Sequence, residues 1–321
     1  MAERLAVLSA WFAEPVAACA PLVPDSVWRV ETTDGGAYVL KERGEVALAT
    51  GRSLQFELAV LDHLDAATLP IVLPTPDQHG ERFTAWENHY FQLTPYVAHK
   101  PWPAPGPARL ALLHHLGTEI ARLHEAMARF PIEQLPENIR RNDLFGEILL
   151  RAIPLGKKQL NGPDHERFAT LTAALEKPLA EIYGQLPNQL IHRDCHAGNF
   201  LCRAGQLAGI IDWDQLSLGP RLLDIAYFAV QMIKRRLEAG ASLDEWPAEW
   251  AALLAGYRQR APLTTLEETA LPYLLLTIPL LFIRWCLDIN RPDWAKIELQ
   301  TLFWLAARFV NPTGASTRRV G

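Results

Sequence analysis

Two short apolar runs, each ending in dense polar residues, constrain this chain more than any other feature. "LIHRDCHAGNFL" spans Leu190 to Leu201, and "GIIDWDQ" spans Gly209 to Gln215. Their apolar parts predict short strands near 188–193 and 207–212. Both strands run directly into His, Asp and Asn, so the fold must hold a polar cluster at the strand ends.

The rest of the chain arranges itself around that cluster. "VWRVET" and "AYVLKE", separated by "TDGG", predict a hairpin over 27–41. Ser53 is placed to cap a helix in which Leu54, Leu58, Leu61 and Leu64 share a face. "IVLPTP" and "HYFQLTPYV" add extended segments. "HKPWPAPGPA", His99 to Ala108, holds four prolines and is the best linker. Beyond it Leu110, Leu113, Leu116, Ile120, Leu123, Met127 and Phe130 recur at helical steps. Pro220 opens a further helix with Gly240 past its end, and the remainder reads as helical. The expected class is α+β. A small β-rich lobe over 1–98 and a larger, mainly helical lobe over 99–321 would leave a cleft between them.

The 321 residues, 49% of them apolar, suffice for two closely packed lobes. A net charge of −5 argues against a nucleic-acid partner. Cys19, Cys195, Cys202 and Cys286 have neither zinc-knuckle spacing nor the density of a disulfide framework, which points to a reducing cytoplasm. In "MAERLAVLSAWFAEPVAACA" Glu3 cancels Arg4 and Glu14-Pro15 interrupts the apolar run, so an ordinary N-terminal helix is expected rather than a signal peptide. "LPYLLLTIPLLFI", Leu271 to Ile283, is too short to span a bilayer and reads as a buried helix, so no membrane partner is expected.

The cluster suits phosphoryl transfer. That chemistry needs a carboxylate at the attacking hydroxyl, oxygen ligands for Mg²⁺ and a cation on the phosphates. "HRDCHAGN" sets Asp194 and Asn199 five residues apart, matching the H-R-D-x-x-x-x-N loop in which the Asp is the base and the Asn a metal ligand. Asp212 follows an apolar strand, where kinases put the metal-binding Asp of D-F-G. Lys41 ends the hairpin like the V-A-I-K lysine, and Glu57 is an ion-pair partner for it. His192 and His196 orient the loop by hydrogen bonds. A metal-dependent hydrolase is the rival, because His192, Asp194 and His196 alternate on one strand face. Against it, no histidine follows His196.

"IHRDCHAGNFL" followed by "GIIDWDQLSLGPRLLDIAYF" resembles the aminoglycoside phosphotransferase and choline kinase superfamily, and is similar to bacterial stress-response kinases of the same protein-kinase-like fold. The resemblance covers roughly residues 25 to 310. It implies ATP and Mg²⁺ as cofactors, Asp194 as the catalytic base, and Asn199 and Asp212 as metal ligands. It further implies that Lys41, steadied by Glu57, holds the phosphates. Thr94 to Val97, with Thr94, Tyr96 and Val97 contributing, would form the adenine hinge. Asp224 would brace the catalytic loop from behind, and Asp214 would add a supporting carboxylate. Three departures stand out. Arg193 occupies a position usually held by Gly. "LVPDSVWRV", expected to cover the phosphates, has no glycine. Pro95 removes a hinge donor.

The reading is a phosphotransferase with a small-molecule hydroxyl as acceptor, of the aminoglycoside-, choline- or homoserine-kinase type. A protein acceptor stays open through the stress-response similarity. A non-catalytic nucleotide binder stays open through the glycine-free loop. The acceptor pocket is expected among the C-terminal helices, in part from "FIRWCLDI" with Trp285 and Asp288, which equally suit helix packing and an ion pair.

Overall fold

The computed structural model describes residues 6–45, 51–140 and 143–310. A five-stranded antiparallel sheet opens the chain: β1 (Ala18–Val23), β2 (Val27–Glu31), β3 (Ala37–Glu45), β4 (Thr84–Trp86) and β5 (His89–Pro95), in the order β1-β2-β3-β5-β4. The β2–β3 hairpin is the one predicted from "TDGG". β1 and β4 were not foreseen. Among the described residues the expected N-terminal helix appears as a short 3₁₀ helix over Ala6–Ala10, and residues 1–5 of that expectation lie outside the described residues.

Strand alternation decides what this sheet offers to each side. Trp28, Leu40 and Leu93 stand opposite one another across β2, β3 and β5. They are buried with Val7, Leu8 and Trp11 in the core of the small lobe. Val39 and Lys41 therefore face the other way, as does Arg43 two residues on. A slip of one residue would bury Lys41 and expose Leu40, so the register is strongly specified.

Helix α1 (Gly51–Ala66) starts two residues before Ser53, so Ser53 lies inside it rather than at its cap. Its apolar face does not stay with the sheet. Phe56 meets Phe130 edge-on at 5.8 Å, and Val60, Leu61 and Leu64 join the large core of the helical lobe. The other long helices are α2 (Pro107–Met127), α3 (Gly162–Tyr183), α4 (Leu222–Glu238), α5 (Trp246–Arg260), α6 (Thr265–Asp288) and α7 (Ala295–Phe309). α6 carries the "LPYLLLTIPLLFI" run and extends well beyond it. It is long and apolar enough to cross a membrane by composition, yet 78% of its most apolar window is buried inside the protein. Its start is set by a capping box in which Thr264 Oγ1 accepts the Glu267 N–H at 3.2 Å and Glu267 accepts the Thr264 N–H at 2.9 Å.

α2 and α5 touch backbone to backbone. A Cβ on Gly117 would fall 2.0 Å from Leu253 O, and one on Gly256 would fall 1.8 Å from His114 O. Neither helix can yield without opening the core. Gly256→Ala should therefore destabilise the protein by about 1–3 kcal/mol, read as a lower midpoint in urea unfolding with an unchanged slope.

Two small ribbons rise from this helical base. β6 (Gln189–Ile191) pairs with β9 (Ser217–Gly219), and β7 (Phe200–Arg203) pairs with β8 (Gln206–Ile210). The two strands expected from the opening motifs are β6 and β8, and each pairs with a different partner. The loops 192–199 and 211–216 then lie side by side. β8 is also tied to the segment after α1, through Ile210 N–H to Pro70 O at 2.8 Å and Val72 N–H to Ile210 O at 3.3 Å.

Candidate active site

The two loops are joined through a buried histidine. His192 Nε2 donates to Ile211 O at 3.2 Å, and its Nδ1 accepts the Asp194 N–H at 3.3 Å. Burial lowers its pKa, which favours the neutral ring that such a donor–acceptor bridge requires. Ile211 N–H also donates to Asn199 O at 3.0 Å. Asn199 and Asp212 thus sit at the same end of the β7–β8 ribbon, each just beyond its last paired residue.

Asp194 is held on several sides. Its Oδ1 accepts from the Tyr227 hydroxyl at 2.7 Å, its Oδ2 from Asn199 Nδ2 at 2.9 Å, and His196 Nε2 lies 3.6 Å from Oδ2. Burial raises the carboxyl, but the nearby His196 ring and the hydrogen bonds from Tyr227 and Asn199 outweigh that and hold it at about 2. Asp194 is therefore an anion across the ordinary pH range. His196 Nδ1 accepts the Gly198 N–H at 3.0 Å, which shapes the tight turn into Asn199.

Asp224, fully buried at the start of α4, accepts the backbone N–H of His192 at 2.8 Å and of Arg193 at 2.7 Å. His124 Nε2 from α2 donates to it at 3.1 Å, and Tyr257 from α5 holds His124 Nδ1 at 2.8 Å. Three helices thus fasten the loop. What they fasten is strained: Arg193 has φ +65° and Asp212 has φ +68°, a region side-chain-bearing residues rarely adopt.

Lys41 reaches from β3 to the second loop, with Nζ 2.6 Å from Asp212 Oδ1 and 3.2 Å from Asp214 Oδ2. Burial and the neighbouring Asp214 carboxylate push Asp212 up to about 6. A hydrogen bond with Asp212, and after it Lys41 and Arg43, hold Asp214 down against the burial that would raise it. The expected Lys41–Glu57 pair is not what the structure brings together. Glu57 pairs with Arg43, whose Nη1 lies 3.7 Å from Asp214 Oδ2. Lys41 and Arg43 point the same way because they are two apart on a strand. Arg43, one strand repeat beyond Lys41, takes Glu57 of α1, leaving Lys41 to the two aspartates. That period of two was the available signal for Arg43. The signal for Tyr227 was its i+3 spacing from Asp224 on α4.

Two cavities flank this polar chain. One, of about 310 Å³ between the lobes, is lined by Val39, Lys41, Glu57, Val72, Thr94, Tyr96, Val97, Leu201 and Asp212. Tyr96 N–H is committed to Ala37 O at 2.9 Å, and Pro95 has no N–H. Of the residues expected to form an adenine hinge, Val97 is the one left with a backbone donor to offer. Over the cavity lies the β1–β2 tip, Pro24-Asp25-Ser26, whose left-handed residue is Asp25 at φ +58° rather than a glycine. The other cavity, of about 480 Å³, is lined by Asp194, Tyr227, Arg193, Glu147, Arg284 and Trp285. The Trp285 and Arg284 of "FIRWCLDI" face it, whereas Asp288 pairs with Arg284 at 2.9 Å.

Asn199 and Asp212 fit a Mg²⁺ ion. Both offer hard oxygen, and this cation takes one or two protein oxygens beside substrate phosphates rather than a full protein cage. No group of three or more His, Cys, Asp or Glu side chains suited to a metal occurs among the described residues.

A small sheet over a helical lobe, with a polar chain from strand lysine to loop aspartate along the cleft, defines the two-lobed protein-kinase-like architecture. Solved structures of that architecture superimpose on nearly the whole chain. An amicoumacin kinase in complex with AMP-PNP and Ca²⁺ matches with TM-score 0.70 and 14% identity, over 94% of this chain and 92% of its own. A microcompartment-associated aminopropanol kinase matches with TM-score 0.70 and 18% identity, over 98% and 99%. Residues 23–270 match the sequence model of the Phosphotransferase enzyme family, and the chain belongs to that family. A homoserine kinase of Neisseria meningitidis is 32% identical over 49% of this chain and 47% of its own length. A homoserine kinase of Pseudomonas aeruginosa is 30% identical over 75% and 70%. The match thus spans about half of the first of these relatives.

Proposed function

We propose that this chain transfers the γ-phosphoryl group of ATP to a hydroxyl of a small molecule. The observation that carries the reading is that the Lys41–Asp212 pair and the Asn199–Asp194–Tyr227 cluster sit on adjoining loops, joined by the Ile211 N–H to Asn199 O bond, between the two cavities. ATP would lie in the cavity under β1 and β2, with adenine against Val39, Val72, Val97 and Leu201 and its phosphates toward Lys41. The acceptor would enter the second cavity with its hydroxyl on Asp194. The acceptor oxygen attacks the γ-phosphorus and the bond from that phosphorus to the β,γ-bridging oxygen breaks. The electron pair leaves on ADP, and the hydroxyl proton passes to Asp194. Bound Mg²⁺, held by Asn199 and Asp212, would neutralise phosphate charge. A carboxylate held near 2 is a weak base, which suits a loose transition state whose barrier depends mainly on positioning and charge.

The small size of the acceptor is supported by the route of the chain after Asp214. It passes through β9 directly into α4, with no separate segment on which a peptide would lie. We place the lobe boundary near residue 98, where the hinge ends. A second reading, a nucleotide binder without turnover, is favoured by the glycine-free β1–β2 tip. Thermal stabilisation by ATP with Mg²⁺, followed by ADP release with a panel of hydroxyl compounds, tests the two readings. Stabilisation without ADP release in any condition would select the second.

The raised Asp212 carboxyl makes a separate prediction. Below about 6 an incoming cation must displace a proton, and above it none is bound. The apparent affinity for Mn²⁺, followed without nucleotide by water-proton relaxation, should be flat above that pH. Below it the affinity should fall by up to about tenfold per unit. A profile flat to pH 4 would show that Asp212 is not a ligand.

A further inference from the structure

We infer that the second cavity selects an acceptor bearing a carboxylate, through Arg193 and Arg284, with Glu147 receiving an ammonium group where the acceptor has one. This rests on the phosphoryl-transfer reading and names the substrate class for its acceptor site. Arg193 Nη2 lies 3.1 Å from Glu147 Oε2, and Arg284 Nη1 lies 3.7 Å from the same oxygen. Two guanidinium groups, each with five N–H donors in a planar fork, thus converge on one carboxylate oxygen beside Asp194. Arg284 has one more partner, Asp288 at the exposed rim. The donors outnumber the acceptors they meet, and a planar carboxylate entering between the two forks would be held as Arg binds carboxylates elsewhere.

The backbone at Arg193 strengthens the inference. φ +65° suits glycine, and Asp224 holds it by accepting the Arg193 N–H at 2.7 Å. A residue with a long cationic side chain occupies this strained position, directly before Asp194, and projects into the acceptor cavity. Strain held at such a place is accounted for if the side chain has work there. The same charges act against polycations: several ammonium groups would face two guanidiniums at close range.

The test compares three acceptors matched in length and one polycation. Homoserine, 4-hydroxybutyrate, 3-aminopropan-1-ol and kanamycin would each be offered with ATP and Mg²⁺. Acceptor-free ADP release would be measured in the wild-type protein and in Asp194→Asn. Both carboxylate-bearing compounds should exceed aminopropanol and kanamycin in kcat/KM by at least about tenfold. Arg193→Gly should fold at least as stably, because glycine relieves the strain, so its effect cannot be ascribed to unfolding. In it the ratio of homoserine to aminopropanol should fall about tenfold or more, mostly through the KM for homoserine, and Arg284→Gln should shift the ratio the same way. Comparable kcat/KM for aminopropanol or kanamycin, or an unchanged ratio in Arg193→Gly, overturns the inference and leaves phosphoryl transfer standing. Asp194-dependent ADP release with no use of either carboxylate compound also overturns it alone. Absence of any ADP release, with or without acceptors, removes both readings.

Discussion

Asp194→Asn should slow phosphoryl transfer by about 10²–10⁴-fold while the protein still folds and still binds nucleotide. The change removes the negative charge and the proton acceptor at almost constant volume. It also sets a second amide against Asn199, which now donates to Asp194 Oδ2 at 2.9 Å. That local mismatch should cost roughly 1 kcal/mol of stability, small beside the kinetic effect. The Tyr227 hydroxyl keeps its acceptor, since the Asn side-chain oxygen can take the place of Oδ1. A coupled assay for ADP gives the rate, and a melting curve with and without ATP and Mg²⁺ gives folding and binding. Transfer within a factor of about five of wild type would remove Asp194 from the role of base, because general-base contributions lie well above that.

The second large effect is on stability. Asp224→Ala should destabilise the protein by about 3–5 kcal/mol, the range for stripping one partner from a buried charged network. Asp224 accepts two backbone N–H groups and the His124 ring, the His192 N–H and the ring being buried, and an alanine leaves each donor without that acceptor. Two consequences should appear together. The melting temperature should drop by on the order of 10 °C, and activity should fall even well below the new transition, because nothing then holds Arg193 in its left-handed conformation. Asp224→Asn, which keeps one oxygen for the loop, should be milder in both respects. A variant with normal stability and activity would show that packing alone fixes the loop.

Those two residues also mark how far the linear pattern could be read. Asp194 and Asn199 were legible because their spacing is short and local: five residues of loop bring both to one place whatever the rest of the chain does. Lys41 and Asp212 were legible as types, each at the end of an apolar strand. Their meeting at 2.6 Å is a property of the register of β3 and of the ribbon formed by β7 and β8. Glu57 shows the limit. Its position on α1 was read correctly, but its partner was taken as Lys41 rather than Arg43. Two cations two residues apart on one strand look alike in a sequence, and which one meets the helix depends on where the helix crosses the strand. The unpredicted strands β1 and β4 have the same origin. "ACAPLV" holds a proline and little alternation, and it becomes a strand because β2 offers an unpaired edge.

The cavity beside Asp194, proposed for the acceptor, lies furthest from the linear pattern. Glu147, Arg193, Tyr227 and Arg284 come from four separate parts of the chain, and nothing in their spacing groups them. Local chemistry determined the class of reaction, because a base, a metal ligand and a phosphate-binding cation each carry a signature within one loop or strand end. The set of charges lining that cavity was settled only when α4 and α6 packed against the 192–199 loop. Helix packing sums many weak contacts across long separations, and it leaves no local mark on the sequence that encodes it.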